Sequence, residues 1–407
     1  MPTELQRLID SKTPDQAQAA VEIVDALLAA SAAAGASDLH LLPTAGELRL
    51  SWRIDGVLQP LGSVPQALAV NVVTRLKVMA RLLTYRTGVP QEGRIAGGES
   101  AVEVRVSTFP TLFGEKVVCR NLPRGVQPLT RLADLGLPAD VLASLGAALR
   151  QTSGALVIAG PAGSGKTTTA YAALREIIDS SRGERSVASL EDPVEAVVEG
   201  VAQSQVAEAA GFDLLTGLRS LVRQDPEVIF IGEIRDAEAA AVAMQAALTG
   251  QLVVTTFHAT DAAAAVSRLS EMGILPYAVR SGVRAVVAQR LLRRLCRCAA
   301  PDPAAATLLG DAVSVDAGAA RRPVGCDACR GAGYVGRIAI AEVLELDWPP
   351  VAQAVLDRAD AGTLRAAAAA AGMAPLRERA AALVAAGTTS AAEVVRVFGL
   401  SGVAHSI

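Results

Sequence analysis

Apolar and polar positions alternate along Asp38-Leu-His-Leu-Leu and again along Leu48-Arg-Leu-Ser-Trp-Arg-Ile, and the dipeptide Asp55-Gly56 then closes the run. A period of two is that of a half-buried strand, and Asp-Gly is a hairpin turn signal. Before this stretch the period is helical. Over residues 14–34, Val21, Val24, Leu27 and Leu28 fall on one face. Residues 66–83 repeat the helical spacing, and Ala101–Val106 and Glu115–Arg120 return to strand, separated by Pro110 and Gly114. These patterns predict an N-terminal helical segment over 1–35 and a small α/β domain over 36–122. Residues 123–140 are rich in Pro and Gly and read as a linker.

From 141 to 290 short apolar runs take turns with helical stretches. The runs are Ala155–Ala159, Ser186–Leu190, Val228–Ile231 and Leu252–Thr256. Strand alternating with helix implies a parallel sheet with helices on both faces. A cysteine-bearing segment is expected over 291–340, followed by alanine-rich helix over 341–407.

Composition narrows this picture. Aromatic residues are 3% of the 407, so the cores must be aliphatic. The formal net charge is −3, which argues against a basic surface for nucleic acid. Charged Glu4, Arg7, Asp10 and Lys12 replace the apolar centre of a secretory signal. No run of about 18 apolar residues predicts a membrane span. Four of the five cysteines form two close pairs, Cys296-Arg-Cys298 and Cys326-Asp-Ala-Cys329. Without a secretory signal such pairs point to metal rather than disulfides. Four thiolates suit one tetrahedral Zn²⁺, although the first pair has a single intervening residue. Cys119, inside a strand pattern, is expected in a core.

The most specific stretch is Gly160-Pro161-Ala162-Gly163-Ser164-Gly165-Lys166-Thr167, followed by Thr168. It matches the phosphate-loop pattern and stands between a predicted strand and a predicted helix. Glycines let backbone N–H groups face phosphates, and the helix adds its positive end. Lys166 is expected on the terminal phosphates of a nucleoside triphosphate, and Thr167 on Mg²⁺. Three further polar segments end predicted strands, where an open α/β sheet presents its ligand loops. They are Glu191-Asp192-Pro193-Val194-Glu195, then Gly232-Glu233-Ile-Arg235-Asp236, then Phe257-His258-Ala-Thr260-Asp261. A solvated helix start could also gather the first set of acids, and a single histidine is commonly structural. The second follows an apolar strand in the Walker B manner, with Gly232 where many such enzymes carry aspartate.

The four segments in this order resemble the type II secretion and type IV pilus assembly ATPases, secretion-superfamily hexameric P-loop enzymes with Walker A, Asp, Walker B and His boxes. The likeness extends to Ser37-Asp-Leu-His-Leu, Arg53-Ile-Asp-Gly56, Arg105-Val-Ser and Thr111-Leu-Phe-Gly-Glu-Lys-Val, and later to Gln289-Arg-Leu-Leu-Arg-Arg-Leu-Cys296, Gly333-Tyr-Val-Gly-Arg337 and Gly387-Thr-Thr-Ser-Ala-Ala-Glu393. It therefore covers about 36–400. The resemblance implies a RecA-like P-loop ATPase domain, a smaller N-terminal PAS-like α/β domain, and a C-terminal zinc-binding and helical part. It implies that Glu195 is the general base, that Glu233 organises Mg²⁺ and the attacking water, and that Glu191 and Asp192 support the acidic cluster. It implies that His258 reads the γ-phosphate and that Arg219 and Arg223 occupy the family's arginine positions. Arg105 and Arg120 are candidates for arginines lent by the small domain. Departures at Glu227, Gln251 and Thr260 lie away from the central acids. The two cysteine pairs favour the assembly and secretion branch over retraction.

The resemblance further implies a homohexamer in the cytoplasm, peripheral at the inner face of the bacterial inner membrane. It would couple ATP hydrolysis to assembly of a pilus or pseudopilus through an inner-membrane platform protein. The few residues before residue 36 suggest that docking on a membrane-anchored partner is absent or uses the helix over 14–34. Two other readings stay open. One is a nucleotide-binding scaffold with little turnover. The other is a DNA-uptake or translocation motor, for which the basic run Arg290, Arg293, Arg294 and Arg297 is the feature to weigh, though a solvated or subunit-facing helix would present the same residues.

Overall fold

A computed structural model describes residues 2–16, 18–96, 102–123, 131–309 and 319–399. The chain divides into two compact units, 1–127 and 128–407.

The first unit holds α1 (Pro2–Asp10), α2 (Ala19–Ala33), β1 (Asp38–Pro43), β2 (Glu47–Ile54), β3 (Val57–Pro65), α3 (Gln66–Met79), β4 (Gln91–Ile95), β5 (Val102–Thr111) and β6 (Gly114–Pro123). Its strands form one sheet in the order β3-β2-β1-β6-β5-β4, and every neighbouring pair is antiparallel. The apolar faces of α2 and α3 (Ile23, Val24, Leu27, Leu68, Val72, Leu76) share a core with Leu39, Leu41, Leu48, Leu50, Val106 and Val117 of the sheet. Cys119 lies in that core, and burial pushes its thiol up to about 12, as suits a packing residue. The expected helix over 14–34 starts later, at Ala19, because the residues before it close turns onto Thr13 and Gln16. Lys77, wholly buried on α3, meets Glu115 of β6 at 2.8 Å and donates to the carbonyl of Arg86.

The second unit opens with a 3₁₀ turn at Leu132–Leu135 and α4 (Ala139–Leu149), so part of the linker expected over 123–140 is ordered; residues 124–130 lie outside the described residues. There follow β7 (Gly154–Ala159), α5 (Lys166–Ser180), β8 (Val187–Glu191), β9 (Val201–Gln205), α6 (Leu214–Leu221), β10 (Val228–Ile231), α7 (Ala237–Leu248), β11 (Leu252–Phe257), α8 (Ala262–Glu271), α9 (Pro276–Gly282) and β12 (Val283–Leu295). Then come β13 (Ala300–Pro301), α10 (Ala305–Leu309), β14 (Arg321–Arg322), β15 (Tyr334–Glu345), α11 (Pro349–Leu356), α12 (Ala361–Ala370), α13 (Leu376–Ala385) and α14 (Ala391–Phe398). The main sheet runs β15-β12-β7-β11-β10-β8-β9. All its pairs are parallel except the edge pair β12 and β15.

Both faces of this sheet are covered, which is why its strands read as unbroken apolar runs. Along β7, Ala155, Val157 and Ala159 enter the core shared with α7, α8, α9 and the C-terminal helices. Leu156 and Ile158 enter the opposite core, with Val141 and Leu145 of α4 and Leu174 and Ile177 of α5. Asp236 and Asp261 each accept the third N–H of the helix they precede, at 2.8 Å. The acids that follow the Walker B and His segments are thus N-caps.

Two expectations change. Strand β12 crosses the boundary expected at 290/291 and β15 the one at 340/341, so the cysteine-bearing segment gives both ends to the main sheet. The basic run begins on this strand rather than on a helix. Antiparallel pairing with β15 holds Arg290 and Arg293 in extended backbone, opposite Ile340 and Arg337.

Candidate nucleotide site

The phosphate loop leaves β7 at Ala159 and enters α5 at Lys166. Gly160 has φ +154°, and a Cβ there would stand 2.4 Å from Ser164 Oγ and 2.6 Å from the carbonyl oxygen of Gln289. Only glycine fits so close an approach. Pro161, Ala162 and Gly163 form the exposed crest of the loop, Ser164 is buried, and Gly165 adopts φ +91° just before the helix. Thr167 is half-buried and Thr168 exposed. The loop rests on β12, where Gln289 Nε2 donates to the carbonyl of Ser164 at 2.8 Å and Gln289 Oε1 accepts from Thr169 Oγ1 at 2.9 Å.

Lys166 folds back over the crest, its Nζ donating to the carbonyls of Gly160 and Pro161 at 2.9 and 3.0 Å. Burial lowers its pKa below the usual lysine value; Arg290 acts the same way, while the carboxylates of Glu233 and Glu195 oppose it. An ammonium short of solvent and close to two acids is primed for a polyanion. The loop's shape, the helix start and this lysine fit a nucleoside triphosphate's phosphates.

The acids converge on the same end of the sheet. Thr167 Oγ1 donates to Glu195 Oε1 at 3.4 Å. Glu233 follows β10, lies 3.0 Å from His258 Nε2 and accepts from Arg235 Nε at 2.8 Å; Arg235 also lies 3.8 Å from Asp192. Glu191 differs from its neighbours. It is buried at the end of β8 and accepts from Tyr171, Ser189 and Gln203. A Cβ on Gly232 would stand 3.3 Å from Glu191 Cα, which accounts for the glycine where aspartate is usual in a Walker B segment.

Not every candidate joins this group. Arg219, on the exposed side of α6, pairs with Glu238 at 3.3 Å, and exposed Arg223, just beyond the end of that helix, reaches Ser220 at 3.5 Å. Arg105 pairs with Glu92, and Arg120 with Asp38. Conversely, Tyr171, Thr169, Gln289 and Arg290 join the nucleotide site although they stand outside its four sequence segments. Arg290 is buried, donates to the carbonyl of Thr260 at 2.7 Å, and keeps Nε and Nη1 unpartnered. Two adjacent polar residues inside the apolar run Val283–Leu292 were the signal for the last pair.

The four paired cysteines also meet. Their Sγ atoms all lie within 4.8 Å of one another, at 3.8 Å for Cys296–Cys326, 3.9 Å for Cys298–Cys329 and 3.8 Å for Cys326–Cys329. Four thiolates at about 2.3 Å from a tetrahedral zinc stand about 3.8 Å apart, so the donor set fits that ion despite the shortened first pair. Burial opposes ionisation of Cys329, yet N–H donors from Cys326 and Gly333, with the thiols of Cys326 and Cys298, bring it down to about 7.

A mostly parallel sheet with a phosphate loop after one strand and acids ending two others defines a RecA-like P-loop ATPase, here joined to a smaller α/β unit and a C-terminal tetracysteine and helical part. The family model for type II/IV secretion system proteins matches residues 13–396, and the chain belongs to that family. Among curated relatives, the type II secretion system protein HxcR of Pseudomonas aeruginosa is 40% identical over 380 residues, covering 93% of this chain and 77% of the relative. The type IV pilus assembly ATPase PilB of Myxococcus xanthus is 38% identical over 388 residues, covering 92% and 67%. Another relative, the type II secretion system protein E of Klebsiella pneumoniae, is 39% identical over 80% of this chain, which spans 66% of that protein's length. Among solved structures, the ATPase DotB of Yersinia pseudotuberculosis superposes with a TM-score of 0.67 at 20% identity, over 94% of both chains. The pilus retraction motor PilT with bound ADP gives 0.52 at 23% identity, over 82% of this chain and 86% of its own. These two likenesses are of fold. No helix among the described residues is long and apolar enough to cross a membrane.

Proposed function

We propose that this chain is a motor subunit that hydrolyses ATP to drive assembly of a type IV pilus or a type II secretion pseudopilus. The observation that carries the reading is the meeting of Lys166, Thr167, Glu195, Glu233 and His258 at one end of the sheet. Residues Gly160 to Thr168 bind the phosphates through backbone N–H groups and Lys166. Thr167 and Glu233 hold Mg²⁺, which when bound neutralises the charge of the terminal phosphates. Glu195, exposed and within reach of Thr167, takes the proton of the attacking water. His258, 3.0 Å from Glu233, reads the γ-phosphate. Phosphoryl transfer needs mainly positioning and charge neutralisation, and these residues supply both.

In this reading six copies form a ring. Arg219 and Arg223, tied within one chain to Glu238 and Ser220, act across a subunit boundary. The ring works at the inner face of a bacterial inner membrane and turns nucleotide cycles into motion of a platform protein. Zn²⁺ on Cys296, Cys298, Cys326 and Cys329 fixes the insertion between β12 and β15. Direct nucleic-acid binding is not part of the reading: Arg290 is buried and Arg293 is engaged by Glu393, which leaves Arg294 and Arg297 as the exposed part of the basic run.

The test is Mg²⁺-dependent ATPase activity across protein concentrations, beside Glu195→Gln. Activity that climbs steeply with assembly and drops by at least a hundredfold in the variant supports a ring motor with Glu195 as base. Tight ATP binding with negligible turnover at every concentration, even with a platform protein present, supports a scaffold instead.

A further inference from the structure

Gln205, Tyr171 and Gln203 hold the loop that carries Glu195, and the last two are anchored on Glu191. Tyr171 stands on α5, about one and a half turns beyond Lys166, and donates its hydroxyl proton to Glu191 Oε2 at 2.5 Å. The same hydroxyl oxygen accepts the backbone N–H of Glu195 at 3.0 Å and that of Ala196 at 3.4 Å. Gln203 of β9 donates to Glu191 Oε1 at 3.1 Å and to the carbonyl of Ala196 at 3.0 Å, and its own oxygen accepts from Val198 at 2.7 Å. Ser189 completes the set on Glu191 at 2.6 Å. Glu191 is 3% exposed and Tyr171 5%. A carboxylate so enclosed, with three donors on it, does not activate a water.

We propose that Tyr171 and Glu191 are positioning residues for hydrolysis, the pair fixing the Glu195 carboxylate relative to the phosphate loop. The helix that presents Lys166 and Thr167 to the nucleotide also holds the backbone of the base, so the two halves of the reaction centre share one support. Glu191 contributes as an acceptor of fixed geometry, not as a charge beside the metal or water. This inference rests on the reading of Glu195 as the base.

Tyr171→Phe tests it. The ring packs edge-on to Phe230, with centroids 6.0 Å apart, and phenylalanine keeps that packing while removing the hydroxyl. The expected result is a kcat at least tenfold lower with KM for ATP and equilibrium ADP affinity within twofold of the parent. Glu191→Gln keeps an oxygen that accepts from Tyr171 but sets its amide N–H₂ against the donating Gln203 Nε2, so its kcat is expected to fall less than that of Glu191→Ala, which falls as Tyr171→Phe does, with the double variant Tyr171→Phe/Glu191→Ala falling no further. Turnover within twofold in Tyr171→Phe, or a loss matched by weakened ADP binding, overturns the proposal. So does a Glu191→Gln enzyme as inactive as Glu195→Gln, since that assigns Glu191 an electrostatic role. Should Tyr171→Phe not fold, the two Glu191 variants still decide. An inert Glu195→Gln beside an active Tyr171→Phe defeats only the positioning claim; an active Glu195→Gln removes the base itself, and the claim with it.

Discussion

Lys166 shows how one side chain's surroundings set its working range. Its ammonium is desolvated and its pKa lowered, so the proton it needs for phosphate binding leaves at lower pH than from a free lysine. Bound phosphate reverses this by stabilising the charged form. ADP affinity should therefore weaken as pH rises toward the ordinary lysine range, beginning below about 10.4. Binding there should take up protons. Calorimetry in two buffers of different ionisation enthalpy reads both. Equal affinity up to that range, with no proton uptake, would show that Lys166 keeps an ordinary pKa. Nearby, the polar pair Gln289–Arg290 on β12 serves two loops at once, the first holding Ser164 and the second Thr260. Adjacent residues on a strand point to opposite faces, so a single strand braces the phosphate loop from one side and the His segment from the other.

At the scale of elements, the end of β12 is clamped to α14. Glu393, without solvent exposure, accepts from the backbone and guanidinium of Arg293 and from Arg396, and Thr389 Oγ1 donates to the carbonyl of Arg293. The Arg293 guanidinium lies 3.9 Å over the ring of Tyr334, which follows the second cysteine pair. Burial alone would raise the pKa of Glu393; Arg396 and Arg293 outweigh it and hold it below the usual carboxylate value. Its contribution to stability is then complete above the unfolded value of about 4.3 and is lost as pH falls through the lower folded value. Glu393→Ala leaves Arg293 half-buried beside an emptied site and should cost about 3–5 kcal/mol. Urea unfolding at neutral pH measures this, and the gap between parent and variant should narrow in acid. A gap that is the same at pH 3 would mean that Glu393 contributes through packing rather than charge.

For the whole molecule, the segment between Cys298 and Cys326 offers little apolar core of its own among its described residues, Ala305, Leu309 and Ala320 being its buried members. Zinc binding can supply an apparent folding energy on the order of ten kcal/mol. Purified protein should carry one zinc per chain by mass spectrometry of the metal. Cys326→Ser/Cys329→Ser should carry none and be cut by protease between residues 296 and 333 while the remainder resists. Full zinc loading in that variant would place the metal elsewhere.

Local chemistry was legible in the chain because it depends on residues close in sequence. Gly160 to Thr167 specify a loop between a strand and a helix through glycine freedom and helix polarity alone, and the apolar runs of β7, β8, β10 and β11 mark strands buried on both faces. The cysteine pairs were equally visible. What the tertiary structure decided are relations among residues far apart. It put Gln289 beneath a loop 125 residues earlier, joined Glu191 to the backbone of Glu195 through Tyr171, and made a strand of the start of the basic run by pairing it with β15. It also turned Asp236 and Asp261 into caps and Glu191 into a buried anchor. A carboxylate's type and spacing are written in the sequence, but its role depends on which donors enclose it, and only the folded chain brings those donors together.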